Sequence, residues 1–272
     1  MSAAPETIAR DLLDALAARR QIAPLTDGDE SFDLAAAYRV TAAIRALREA
    51  RGERVVGRKI GFTNTTIWDE YGVHAPIWGF VYDTTLVGLP DPAWPFSLDD
   101  LLEPRIEPEI VLTLSRPPHP DMDDVALMGC IAGVAHGFEI VQSLFSGWRF
   151  RASDTVAAFG LHGALLVGPA TEVTPATAAD WREKLAAFDI ALLRDGVVED
   201  RGKAKNVLGC GPLAALRHLV EVLAKDSGNP PLAAGEIVST GTLTRALPIA
   251  PGERWRTGLA GLPLAGIEAR FG

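Results

Sequence analysis

The chain has 272 residues, 48% hydrophobic and 22% charged, enough apolar material for one large core or two small ones, which excludes a disordered chain. Its formal charge of −9, from 26 Lys and Arg against 35 Asp and Glu, argues against nucleic acid or an anionic membrane surface as a partner. The start, MSAAPETIARDLLDALAARR, has no uninterrupted apolar stretch, and no run approaches the roughly 20 residues that cross a bilayer, so a cytoplasmic protein is expected.

In chain order, residues 3–20 and 32–51 have helical composition. SFDLAAAYRVTAAIRALREA sets Leu34, Tyr38, Val40, Ala43, Ile44 and Leu47 near a helical period, with Ser31 as N-cap, Asp33 in the first turn and Gly52 as stop. Residues 1–53 are therefore expected to form a helical N-terminal region, with a second unit over 54–272. The texture changes at RVVGRKIGFTNTT, where apolar residues cluster among glycines. Strands are expected at 55–60, 78–82, 109–114, 137–142, 163–167, 188–194, 236–240 and 265–271. LLRDGVVED carries the Asp-Gly signal of a tight hairpin at Asp195 and Gly196. Helices are expected near 123–135 and at PLAALRHLVEVLAK, where Pro212 fits a first turn, and RPPHPDMDD reads as a loop. The order suits a β-rich domain with inserted helices better than regular βαβ alternation.

EPRIEPEIVLTL raises a chemical question. A strand sends residues i and i+2 to one face, so Glu107 and Glu109 point together while Ile106, Ile110, Leu112 and Leu114 point away. Two like charges repel, so either water solvates them or a cation lies between. From Asp99 to Asp124 there are eight acids against two bases, Arg105 and Arg116, which suits a solvated edge for most of them. Glu139 differs, because it stands between Phe138 and Ile140 in a run that should be buried, where a carboxylate must be paired, protonated or metal-bound. With Glu107 and Glu109 it would complete three oxygen ligands for a hard divalent cation.

Lys59, in GRKIG, is either an ammonium desolvated beside an anion or a lysine snorkelling from a sheet edge. His136 and His162 are either acid–base groups or hydrogen-bonded structural histidines. STGTLT, residues 239–244, either lines a site with hydroxyls and backbone N–H groups or forms a plain turn. Cys130 and Cys210 stand 80 residues apart in no zinc or disulfide pattern, and read as free thiols. No phosphate loop, GxGxxG unit or G-x-S-x-G elbow is present.

The ordered set VVGRKIGFT, YGVHAPIWG, EPRIEPEIVLTL, FEIVQS, WRFRASDTVA, GALLVG and STGTLT followed by PIAPGERW resembles one family over most of the chain from residue 54. This is the family of 2-oxopent-4-enoate hydratases and 4-oxalocrotonate decarboxylases of aromatic meta-cleavage pathways, in the fumarylacetoacetate hydrolase superfamily. The resemblance implies an α+β fold, a distorted β-sandwich or roll with inserted helices and a helical N-terminal part. It implies Mg²⁺ or Mn²⁺ bound by Glu107, Glu109 and Glu139, and Lys59 as the lysine that moves protons or holds the substrate carboxylate. Thr242 in STGTLT would contact substrate. A small 2-oxo acid substrate, a homo-oligomer and association with a second pathway enzyme are further implications.

Departures from the family pattern cluster opposite these residues. Ile77 stands before Trp78-Gly79 where an aspartate is usual, Thr84 replaces another with Asp83 one place earlier, and Ala158, Phe159, Gly160 and Leu161 replace Asp-Asn-Ala-Ser. LGCGPLA replaces LGHPLN at 208–214. Asp83 and His162 are expected to supply the missing polar catalytic functions. The activity implied is a metal-dependent hydratase of 2-hydroxy-2,4-dienoates. The alternatives are decarboxylation or C–C hydrolysis of a related 2-oxo acid, with His136 or His162 as the base for hydrolysis, or a homologue that binds a 2-oxo acid without turning it over.

Overall fold

The β-branched and glycine-punctuated runs pair into two sheets in a computed structural model, which describes residues 3–68, 73, 75–89 and 95–272. Tyr71, Gly72 and His74 of YGVHAPIWG lie outside the described residues. The main sheet runs in the order β2 (Ile77–Tyr82), β1 (Val55–Gly61), β11 (Ile237–Ser239), β5 (Arg105–Leu114), β6 (Ile131–Val141), β7 (His162–Val167) and β3 (Leu86–Gly88). Two short strands extend it, β12 (Leu247–Pro248) on β5 and β8 (Thr171–Glu172) on β6. The second sheet has the order β10 (Val197–Lys203), β9 (Asp189–Arg194), β13 (Arg254–Ala260), β14 (Glu268–Phe271) and β4 (Pro95–Phe96).

Strands β5 and β6 carry the architecture. They are antiparallel, with Ile106 opposite Ile140 and Glu107 opposite Glu139. Their alternation sends Ile106, Phe138 and Ile140 into a core shared with Leu192, Trp255 and Phe271 of the second sheet. The opposite face carries Glu107, Glu109 and Glu139 at one end and Val111 and Ala135 at the other. Val111 and Ala135 pack with Leu165 of β7 and Val81 of β2, strands near opposite ends of the sheet order, so the sheet is rolled around this face. The resulting mixed sheets with helices around them match the α+β roll expected from the sequence.

Three helices precede the sheets: α1 (Pro5–Ala17), α2 (Leu25–Gly28) and α3 (Leu34–Ala50). Ala9, Leu12 and Leu13 of α1 and Ala37, Val40 and Ile44 of α3 share a cluster with Ile77, Phe145 and Val156. Tyr38 stacks on Trp78 of β2 with ring centroids 5.1 Å apart, so α3 is seated directly behind the strand that carries Ile77. Thr26 donates its hydroxyl to the buried Asp154 at 2.8 Å.

Several expectations need correction. Asp33, not Ser31, caps α3 by accepting from the Ala36 N–H at 2.8 Å, while Gly52 follows the helix at φ +93° as expected. The helix expected over 123–135 is only Asp124–Met128, and β6 begins at Ile131, because pairing with ten residues of β5 outweighs local helical periodicity. Strand β14 starts at Glu268 rather than 265. Strand β13 and the helices Ala152–Ala157 and Ala178–Leu185 were not anticipated. The hairpin at Asp195 and Gly196 joins β9 to β10 with both residues at positive φ, and the Pro212–Leu223 helix begins on its proline.

Candidate metal centre and active site

The cross-strand register brings Glu107, Glu109 and Glu139 together, each with a carboxylate oxygen within 4.8 Å of the others. Glu109 and Glu139 are fully buried. Lys59 enters from β1, also buried, with its ammonium 3.2 Å from Glu139 Oε2 and donating to the Gly160 carbonyl at 2.9 Å. Lys59 is reached across the roll because it pairs with Gly79 of β2 and lies in register with Ser239 of β11.

The partners of the carboxylates are asymmetric. Glu109 Oε2 accepts from the Ser239 hydroxyl and, at 2.8 Å, from the Gly241 N–H, while its Oε1 has no hydrogen-bond partner. Glu139 Oε1 lies 2.8 Å from His162 Nδ1, and its Oε2 has no aligned hydrogen bond, the contact with Lys59 being an ion pair. Gly241 is required here, since it sits at φ +94° and a Cβ would lie 1.8 Å from Thr63 Oγ1.

Burial pushes the Glu107 carboxyl up to about 7, against the pull of Lys59, and lifts Glu109 well above the usual range, with Glu139 and Glu107 adding repulsion. Burial also works against charge on Glu139, yet Lys59 and His162 outweigh it and hold that carboxyl below its ordinary value. For Lys59 burial disfavours the ammonium, and the carboxylates of Glu139, Glu107 and Glu109 raise its pKa despite that. Three buried or half-buried acids facing one lysine, with two orphaned oxygens, form an all-oxygen donor set short of positive charge. Such a set fits a hard divalent cation of the Mg²⁺ or Mn²⁺ type, which would satisfy both oxygens at once.

A pocket opens beside the cluster, with Lys59, Glu107 and Thr242 as polar lining and Phe62, Ile77, Trp148 and Leu161 among its apolar walls. Its far side is a left-handed turn, Phe159–Leu161, in which all three residues have φ between 62° and 65°. Two of them carry a Cβ, so the turn is strained and must be held from outside. Gly79 permits this, because a Cβ there would lie 2.8 Å from the Phe159 carbonyl. The turn presents the Gly160 carbonyl to Lys59.

The sequence candidates thus separate. Glu107, Glu109, Glu139, Lys59 and Thr242 meet at one place, although the Thr242 hydroxyl is engaged, donating to the Thr244 carbonyl at 2.9 Å. His162 adjoins the cluster through Glu139, with Nε2 2.9 Å from Thr85 Oγ1, so both ring nitrogens are occupied. Asp83 is a correction: it lies in the turn just after β2 and accepts from the Arg54 N–H and guanidinium at 2.9 and 3.0 Å, away from the pocket. His136 is another. It stands on the opposite face of β6, donates from Nδ1 to the Glu109 carbonyl at 2.8 Å, and accepts at Nε2 from Thr257 at 2.9 Å. Burial holds this imidazole down to about 4, which makes it a neutral structural group rather than a base. Thr85 and the Gly160 carbonyl escaped sequence reasoning, since a hydroxyl in a turn and a backbone oxygen carry no sequence signal. Ser239 and Gly241 were signalled only collectively, by the hydroxyl- and glycine-rich STGTLT.

No family model matches the chain. It is 31% identical to a 2-hydroxyhexa-2,4-dienoate hydratase of Comamonas testosteroni, over 97% of this chain and 96% of that protein. It is 33% identical to a 2-keto-4-pentenoate hydratase of Paraburkholderia phymatum, over 88% and 87%. Among solved structures, 4-oxalocrotonate decarboxylase from Pseudomonas putida G7, complexed with magnesium and adipate, superposes with a TM-score of 0.87 at 27% identity, covering 98% of this chain and 97% of that one. Fumarylpyruvate hydrolase from Pseudomonas aeruginosa, in complex with Mn²⁺ and pyruvate, shares the fold with a TM-score of 0.61 at 16% identity, covering 79% and 88%.

Proposed function

From this chain's membership of the 2-keto-4-pentenoate hydratase and 4-oxalocrotonate decarboxylase family, in the fumarylacetoacetate hydrolase superfamily, we propose a divalent-metal-dependent hydro-lyase. It adds water to a 2-hydroxy-2,4-dienoate to give a 4-hydroxy-2-oxo acid in the breakdown of aromatic compounds. The observation that carries this reading is the convergence of Glu107, Glu109 and Glu139 with Lys59 beside one pocket, which Glu107 and Lys59 line.

Glu107, Glu109 and Glu139 would hold the cation. When bound, it supplies Lewis acidity at the substrate carboxylate and the neighbouring 2-oxo oxygen, where negative charge grows. Lys59 is anchored by Gly160 and Glu139, which leaves one ammonium N–H to turn towards the pocket. We assign it the proton transfer. As the C2 hydroxyl loses its proton, the dienol gains one at C5. Water oxygen then bonds to C4 of the unsaturated ketone and C3 takes up a proton, so the product is the substrate plus one water. Phe62, Ile77 and Leu161 face the hydrocarbon part of the substrate and limit free water around it.

These same walls favour one second reading. Among the described residues, no imidazole and no acid other than Glu107 lines the pocket to direct a water, whereas decarboxylation needs none. In that case a distal carboxylate leaves as CO₂ and its bonding electrons pass into the conjugated 2-oxo system.

The test follows dienol absorbance after mixing the protein, Mg²⁺ and freshly generated 2-hydroxypenta-2,4-dienoate. Loss faster than spontaneous ketonisation supports the hydratase. CO₂ release from 2-oxohex-3-enedioate without turnover of the dienoate would replace it with the decarboxylase. We also propose a homo-oligomer, to be checked by sedimentation, and cytoplasmic residence, which the free thiols of Cys130 and Cys210 support. No helix among the described residues is long and apolar enough to cross a membrane.

A further inference from the structure

The two fully buried carboxylates of the cluster share a pattern that the reaction does not require. Each has one oxygen tied to the protein and one left over. Glu109 Oε2 is held by the Ser239 hydroxyl and the Gly241 N–H, and Oε1 is free. Glu139 Oε1 is held by His162 Nδ1 at 2.8 Å, and Oε2 has only the ionic contact with Lys59. His162 cannot swing away, because it is buried and its Nε2 lies 2.9 Å from Thr85 Oγ1. That oxygen is in turn placed within its own turn by accepting from the Tyr82 N–H at 3.3 Å. A carboxylate tied in this way offers a cation one oxygen unless the tie breaks.

Coordination number makes the consequence specific. Mg²⁺ takes about six single oxygens in a tight octahedron, whereas Ca²⁺ takes roughly six to eight and often draws both oxygens from one carboxylate. We propose that His162, braced by Thr85, is a positioning residue that holds Glu139 to one oxygen, as Ser239 and Gly241 hold Glu109. Through these ties the chain prefers a small divalent cation to calcium. The proposal rests on the reading of Glu107, Glu109 and Glu139 as the cation ligands. It gives His162 a positioning role towards Glu139 in place of an acid–base one.

The experiment is calorimetric titration of the metal-free full chain with Mg²⁺ and, separately, Ca²⁺. Wild type, His162→Ala, His162→Asn and Thr85→Val are compared, with far-UV circular dichroism as the folding control. His162→Ala should weaken Mg²⁺ by about 10- to 100-fold, the usual effect of removing a group that orients a ligand. Ca²⁺ should weaken far less, so the Mg²⁺ to Ca²⁺ affinity ratio falls. His162→Asn, whose amide N–H can stand near the Nδ1 position, should restore most of the ratio, and Thr85→Val should lower it in part. Equal fractional losses for the two cations in His162→Ala overturn the proposal. If that variant does not fold, an unchanged ratio in Thr85→Val overturns it instead. Absence of binding by wild type to either cation overturns the ligand reading itself, a separate and recognisable failure.

Discussion

Glu107 and Glu139 face each other across the β5–β6 ladder with their carboxylates in the cluster, so shortening either removes a ligand. Glu107→Ala or Glu139→Ala should abolish Mg²⁺ binding in calorimetry and leave the circular dichroism spectrum unchanged. Unchanged affinity in both variants would refute the triad. Lys59 separates chemistry from metal binding. Lys59→Met should lower kcat by about 10²- to 10⁴-fold, the range for loss of a positioned proton donor. Mg²⁺ affinity should not fall, since a cation beside the carboxylates has been removed. A parallel loss of both would make Lys59 a structural counter-ion instead. The glutamate pair was legible in sequence because a strand's period of two puts i and i+2 on one face. The roles of Asp83 and His162 were not legible, because they depend on which neighbour closes each hydrogen bond: Arg54 for one, Glu139 and Thr85 for the other.

At the scale of elements, the C-terminal end of helix α3 is tied to the main sheet through one acid. Glu53 accepts from Arg48 and Thr84, and from Arg51 at 2.8 Å, tying the end of α3 to the turn after β2. Burial opposes its charge, but these donors outweigh it and hold its carboxyl below the ordinary value. A depressed folded-state pKa contributes stability that is present above the unfolded value and disappears as pH falls through the folded one. Glu53→Gln should therefore cost about 2 kcal/mol at pH 7, as charged hydrogen bonds are lost. In denaturant titrations the gap from wild type should close as pH falls below about 4. A gap that is constant with pH would show that packing, not charge, makes this junction. Helices α1 and α3, the Asp-Gly hairpin and most strand centres were readable from periodicity and turn chemistry. Strand β6 was misread at its start because its identity comes from β5, a partner that local patterning does not contain. The Phe159–Leu161 turn was unreadable for a similar reason: its left-handed backbone exists because Gly79 lets it close against β2.

For the whole molecule, the rolled sheet gathers three carboxyls at one point, and cation binding should be felt globally. At about 100 times its dissociation constant, Mg²⁺ should add roughly 2.7 kcal/mol of stability. That corresponds to a rise in Tm of about 5 to 10 °C for a chain of this size. Glu107 and Glu109 have raised pKa values in the metal-free protein, so cation and protons compete for them. The Mg²⁺-induced rise in Tm, read by scanning calorimetry, should be larger at pH 8 than at pH 6, and a rise independent of pH would place the cation elsewhere. Fold and cluster together support a metal-dependent hydro-lyase, and the mass of the product tests that most directly. Incubated with 2-hydroxypenta-2,4-dienoate, the protein should yield a product heavier by one water, formed with Mg²⁺ or Mn²⁺ and abolished by EDTA. A product of unchanged mass, or the hydrated product formed equally well in EDTA, would contradict the account.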